Sequence, residues 1–246
     1  MLSLLAILFV CGAIEANPPK PINGVKLNKG DAKIEDYAYL VSFQLDTKKF
    51  CSGVIITANH LLTTAQCASS VNANVKIIRA GSNSYLQDGD LYTVAKTINH
   101  EAYDEKKLVN NIAVVQVVEN FSGITKDIVV NSDGAYIQPS KEGTAVGYGR
   151  LSTNHSKDLI DAVDVQVIDG KKCTYRALNA GEFCVKNLRE SKGTCYIPGS
   201  PIVRMIGSNM AVLGMVSMRD EDCENTSDVF VDVSNFKNWI DTVTSK

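Results

Sequence analysis

The sequence predicts an all-β protein closed at its C-terminal end by one α-helix, and three observations carry that expectation. Short runs rich in β-branched and aromatic residues follow one another from Tyr39 onward, glycines stand at or beside their ends, and a helical period appears in the last stretch. Leu40-Val41-Ser42-Phe43-Gln44-Leu45 and Asp164-Val165-Gln166-Val167-Ile168 alternate as half-buried strands do, and Val75-Lys76-Ile77-Ile78 is a shorter apolar run. Gly53, Gly81, Gly147, Gly149 and Gly214 mark places where bends are expected. Many short strands at this spacing suggest a sandwich or a barrel, and periodicity goes no further. Between Val233 and Thr244, the residues Val233, Phe236, Trp239, Ile240 and Val243 recur at helical spacing, with Ser234 placed to cap the first turn. Trp239, the single tryptophan, reads as a core anchor rather than a ligand platform.

Ahead of this body, residues 1–16 read as a secretory signal peptide. Met1 to Val10 is almost wholly apolar, with small residues at Cys11, Gly12, Ala13 and Ala16. The run is shorter than the about 20 apolar residues a membrane span needs, so the expectation is a soluble, secreted protein. Residues 17–21, Asn17-Pro18-Pro19-Lys20-Pro21, read as a short extended spacer, because each proline fixes φ and disfavours helix before it.

The net charge of −2 argues against a nucleic-acid or anionic-membrane footprint, and the 25 Lys and Arg are spread along the chain rather than run together. Of seven cysteines, Cys11 would leave with the signal. The remaining even set suits an oxidising compartment, and six cysteines allow 15 pairings. Three sequons, at Asn120, Asn154 and Asn225, are candidate glycosylation sites, Asn154 lying in an evident loop. No metal-ligand spacing, phosphate-binding glycine loop or nucleotide motif is present, so no metal, cofactor or small-molecule partner is expected.

Three blocks carry more specific information: Thr63-Thr64-Ala65-Gln66-Cys67, Asn110-Asn111-Ile112-Ala113-Val114-Val115, and Cys195-Tyr196-Ile197-Pro198-Gly199-Ser200-Pro201. In order and approximate spacing they resemble the "(S/T)AAHC", "NDIAL" and "GDSGGP" blocks of the chymotrypsin/trypsin family. The positions matching the family's histidine, aspartate and serine hold Gln66, Asn111 and Pro198. The triad needs a histidine to take the serine proton, an aspartate to fix its tautomer, and backbone N–H groups to hold the oxyanion. Gln66 cannot act as a base near neutral pH, Asn111 is neutral, and Pro198 lacks both hydroxyl and N–H. No replacement is expected: His60, His100 and His155 stand away from the base position, Ser200 stands where the family has a glycine, and Cys195 falls at a family bridge position. The expectation is a pseudoprotease with no catalytic residue.

The resemblance implies two six-stranded antiparallel β-barrels, the trypsin-like fold, with a C-terminal α-helix. It covers residues 22–246, with an N-terminal barrel over 22–130, a C-terminal barrel over 131–233 and the helix over 234–246. It also implies the pairings Cys51–Cys67, Cys173–Cys184 and Cys195–Cys223; a fourth family bridge would join the positions of Gly143 and Arg204, and both partners are missing together. Ile22-Asn23-Gly24-Val25 resembles the start of a mature protease, yet Pro21 after Lys20 hinders tryptic cleavage. The acidic receiver of the new N-terminus is replaced by Ile197, and one oxyanion glycine by Tyr196. In the substrate cleft, Gly193 stands at the pocket base and Ser217-Met218-Arg219 at the "SWG" edge, so an extended peptide should fit poorly.

The Ile22-Asn23-Gly24 start, the block from Cys51 to Cys67 and the Tyr196-Ile197-Pro198 substitution are similar to the scabies-mite inactivated serine protease paralogues. That resemblance implies secretion into mite gut and faeces and interference with host complement, with plasma proteins as partners and neither nucleic acid nor membrane. A decoy for host proteases or their inhibitors, and a residual hydrolase with non-standard catalytic groups, stay open beside it.

Overall fold

The computed structural model describes residues 32–44, 50–71, 74, 76–148, 158–174, 176–189, 194–218 and 227–245. The expected signal peptide, spacer and Ile22 start lie outside these residues. Six strands, β1 (Leu40–Gln44), β2 (Phe50–Ile55), β3 (His60–Thr63), β4 (Lys76–Ala80), β5 (Asp90–Asn99) and β6 (Ala113–Val117), close into a barrel in the order β1-β2-β3-β6-β5-β4. A one-turn helix, α1 (Ala65–Ala68), follows β3. After a two-residue strand, β7 (Val129–Val130), come β8 (Glu142–Tyr148), β9 (Ile160–Ile168), β10 (Glu182–Asn187), β11 (Pro201–Ile206), β12 (Asn209–Met218) and β13 (Asp228–Asp232). The last six run β11-β8-β9-β10-β13-β12, and antiparallel pairing of β11 with β12 closes the second barrel. β7 is additional to the expected twelve strands: it lies parallel to β12, with Val129 opposite Ala211.

The two-residue period places the core. In β1, Val41 and Phe43 fill the first barrel with Ile55, Leu61 and Val115. Leu40 turns the other way, into a shared cluster with Val54, Leu62, Tyr148, Val212 and Ile240 that forms the seam between barrels. Val165, Phe183, Leu213 and Phe230 fill the second barrel. Tyr148 spans the seam: its hydroxyl donates to the Ser82 carbonyl at 2.7 Å, and burial raises its pKa far above the usual phenol range.

The C-terminal segment begins differently from its expected form. Val233–Phe236 is a 3-10 turn, and the helix α2 spans Lys237–Thr244. Ser234 is not the cap. The Asp232 carboxylate caps the 3-10 turn, accepting the Ser234 N–H at 2.9 Å, the Ser234 hydroxyl at 2.7 Å and the Asn235 side-chain amide at 2.7 Å. An ionised carboxylate outcompetes a hydroxyl as acceptor, so Ser234 serves as donor. Trp239 packs against the seam cluster but is only half-buried. Its ring lies 5.1 Å from that of His100 and its Nε1–H donates to Glu101 at 3.2 Å, while Ile240 and Val243 make the buried face.

Candidate functional site

The first-barrel side of the site is held from below by α1. The Thr64 side chain accepts the Cys67 N–H at 3.3 Å, and the Cys51–Cys67 disulfide fastens the turn to β2. Gln66 is exposed, while its backbone N–H donates to Asn111 Oδ1 at 2.9 Å. Asn111 is 1% exposed, and its Nδ2 donates to Ser217 Oγ at 3.1 Å, with the Ser217 carbonyl at 3.5 Å. Ser217 belongs to β12, so one amide links α1 of the first barrel to the second. The Ser217 hydroxyl could donate to a carboxylate here, but the buried charge would need a cation that Gln66 cannot supply.

The second-barrel side is built on the turn 198–200. The Pro198 carbonyl accepts the Ser52 N–H at 2.9 Å, Gly199 N–H donates to Val216 O at 2.9 Å, and Val216 N–H returns to Ser200 O at 2.8 Å. Gly199 has φ +82°, and a Cβ there would stand 2.0 Å from the Ser52 carbonyl oxygen, so only glycine fits. Tyr196 and Ile197 are 0% and 2% exposed; Tyr196 joins the core of the second barrel. Gly147 makes room for this arrangement: a Cβ there would lie 2.5 Å from Ser200 Oγ and 3.1 Å from Tyr196 Cδ1. Cys195 is disulfide-bonded, and its expected partner Cys223 lies outside the described residues, as do Gly193 and Arg219.

Two further contacts were not singled out by the sequence. The Arg176 guanidinium forks onto Glu182 at 2.8 and 2.7 Å, and its Nε lies 3.3 Å from Met218 Sδ, pinning the loop before β10 against the end of β12. The Asp228 carboxylate, 5% exposed, accepts the Thr194 N–H. Both depend on which loops meet in space, and neither has a signal in local spacing.

The two described histidines are engaged away from these three positions. His60 is buried, with Nδ1 2.8 Å from Thr57 Oγ1; burial, and secondarily Lys96, lowers its pKa and keeps it neutral. His100 packs its ring against Phe236 at 5.2 Å. Neither is hydrogen-bonded to positions 66, 111 or 198 among the described residues, and His155 lies outside them. No group of three or more potential metal ligands occurs among the described residues. Asn120 is exposed on the loop after β6, whereas Asn154 and Asn225 lie outside the described residues.

With this geometry in place, comparison with known proteins decides the family. A family model for trypsin matches residues 27–240. The chain belongs to the trypsin family. Trypsin epsilon of Drosophila erecta is 28% identical over 98% of this chain and 95% of its own length. The trypsin of Sarcophaga bullata is 26% identical over 98% of each chain. Trypsin Blo t 3 of Blomia tropicalis is 29% identical over 88% of this chain and 85% of its own length. These relatives bear the names of enzymes. The trypsin family's two barrels, terminal helix and the disulfides Cys51–Cys67 and Cys173–Cys184 are present in this chain. No helix among the described residues is long and apolar enough to cross a membrane.

Proposed function

We propose that this trypsin-family chain is a secreted, proteolytically inactive binding protein that inhibits host complement by occupying one of its components. The observation that carries the reading is the content of the three catalytic positions. Gln66 and Asn111 are neutral amides, and Pro198 has neither hydroxyl nor N–H. Removing triad members from such an enzyme costs on the order of 10⁶ in turnover, and the residue of about 10³ to 10⁴ rests on the oxyanion hole and substrate binding. Pro198 removes one oxyanion donor, and the fully buried Tyr196 takes the place of the glycine beside it. The disulfides support an oxidising, extracellular setting. The complement assignment rests on the resemblance to the inactivated mite paralogues. A binder of this kind needs an interface of about 1,200–2,000 Å².

A dose series of purified protein in human serum, scored as complement-mediated lysis through each activation pathway, tests the reading. The expected result is saturable inhibition with complement proteins uncut and no labelling by an active-site-directed phosphonate. Inhibition accompanied by new fragments and phosphonate labelling overturns it in favour of a residual hydrolase. Absence of inhibition at micromolar protein overturns the complement assignment, and saturable capture of plasma proteases or their inhibitors would then identify a decoy.

A further inference from the structure

Two lysine pairs that stand far apart in the chain are carried on turns of the same construction. Between β5 and β6, Asp104 pairs with Val109 across a tight loop, and Asp104 Oδ1 accepts the backbone N–H groups of Lys106 at 3.0 Å and Lys107 at 3.1 Å. Between β9 and β10, a 3-10 turn spans Gly170–Lys172, and Asp169 Oδ1 accepts the Lys171 N–H at 2.9 Å. The next residue, Cys173, is bridged to Cys184. In both turns a carboxylate is occupied with main-chain donors while two consecutive lysines project from an ordered backbone. All four lysines are exposed, and none forms an ion pair with a described residue.

One loop, Leu178–Asn179, touches both turns. Asn179 Nδ2 donates to the Lys107 carbonyl at 3.1 Å, and a Cβ on Gly170 would lie 2.9 Å from Cδ1 of Leu178, the neighbour of Asn179. This path of two contacts and two chain steps keeps Lys107 and Lys171 no more than about 25 Å apart. Of the acids on these segments, Asp104 and Asp169 accept main-chain N–H groups and Glu182 is held by Arg176, while Glu105 is exposed beside Lys106.

We propose that Lys106, Lys107, Lys171 and Lys172 form a binding site for a sulfated polysaccharide chain, spanning the two barrels. Ammonium groups on flexible stems suit sulfates presented in many orientations, since each acts as a point charge rather than a planar fork. A nucleic acid fits less well, because single strands need exposed aromatic or arginine planes on which bases stack. The Tyr103 ring packs on the first-barrel core, the Trp239 ring lies against His100, and the Arg176 guanidinium is taken by Glu182. The site stands independently of whether positions 66, 111 and 198 support catalysis.

Titration of the full chain with a heparin fragment at increasing salt tests the proposal. With about four charges exchanging counterions, affinity should fall about 50-fold between 50 and 200 mM salt. The K106Q/K107Q/K171Q/K172Q variant should lose most of the affinity and most of the salt dependence, and either pair variant about half the salt slope. A K33Q/K126Q control should bind as the unaltered chain does, with thermal melting confirming that every variant folds. Absence of binding by the unaltered chain overturns the proposal, as does equal binding by the quadruple variant or an effect confined to one lysine pair. Equal binding of desulfated heparin, or of single-stranded DNA with the same dependence on the four lysines, also overturns it.

Discussion

The two halves of the site are held together in opposite ways. On the first-barrel side, Asn111 keeps its place and shape, accepting from the Gln66 N–H and reaching Ser217 across the seam. An amide there is nearly isosteric with a carboxylate, so charge leaves while hydrogen bonds stay. On the second-barrel side, Tyr196 and Ile197 are buried and the turn at Pro198 is fixed by backbone bonds instead of side chains. The first half is joined by an amide side chain; the second is packed with buried side chains and fastened by its backbone. Position 111 joins the barrels, whereas positions 196–198 hold a turn whose interior must be packed.

The sharpest way to break this comparison is Gly199→Ala against Gln66→Ala. The alanine Cβ would collide with the Ser52 carbonyl from a left-handed backbone, so Gly199→Ala should cost more than about 4 kcal/mol in urea unfolding. Gln66 is exposed and joins the network through its backbone alone, so Gln66→Ala should stay within about 0.5 kcal/mol. A tolerated Gly199→Ala would mean that the second half is not pinned to the seam.

Asn111→Asp sharpens the comparison through pH. A carboxylate buried at position 111 without a cation should have its folded pKa raised above the unfolded value of about 3.9. The penalty is then absent below that value, grows as pH rises toward the folded pKa, and should reach about 2 kcal/mol at neutral pH. A flat difference between Asn111→Asp and the unaltered chain from pH 3 to 7 would show that the amide's neutrality is unimportant.

His60 supplies the opposite and smallest slope. Its folded pKa is lowered, by burial first and Lys96 second, so the unfolded chain takes the proton more readily. Stability is unaffected above the unfolded pKa of about 6.5 and falls as pH drops below it, by less than about 1 kcal/mol at pH 5. His60→Gln should remove that slope while leaving the one created by Asn111→Asp in place.

Much of the fold was legible because its signals are local. Alternation along Leu40–Gln44 and Asp164–Ile168, the apolar spacing from Val233 to Val243 and the blocks around Cys67, Asn111 and Pro198 can each be read within a few residues. What escaped depends on contacts between distant segments. Ser234 has the right residue type for a cap, but the adjacent Asp232 is the stronger acceptor. Trp239 has the right spacing for the core, yet His100 and Glu101 hold it at the margin. The parallel pairing of Val129 with Ala211, the Arg176–Glu182 fork against Met218 and the Asp228 carboxylate on the Thr194 N–H come from long-range closure. The two lysine pairs looked dispersed for the same reason.

The link from the Ser52 N–H to the Pro198 carbonyl is made by main-chain atoms alone. Such a joint is indifferent to vocabulary: changing the side chain at position 52 or 198 rewrites the local text without undoing the fastening beneath it. A lineage descended from a protease could therefore exchange its reactive letters while inheriting the same architecture. In the laboratory, a library varied at positions 66 and 198 and fixed at Gly199 would keep a common chassis while presenting different faces beside it.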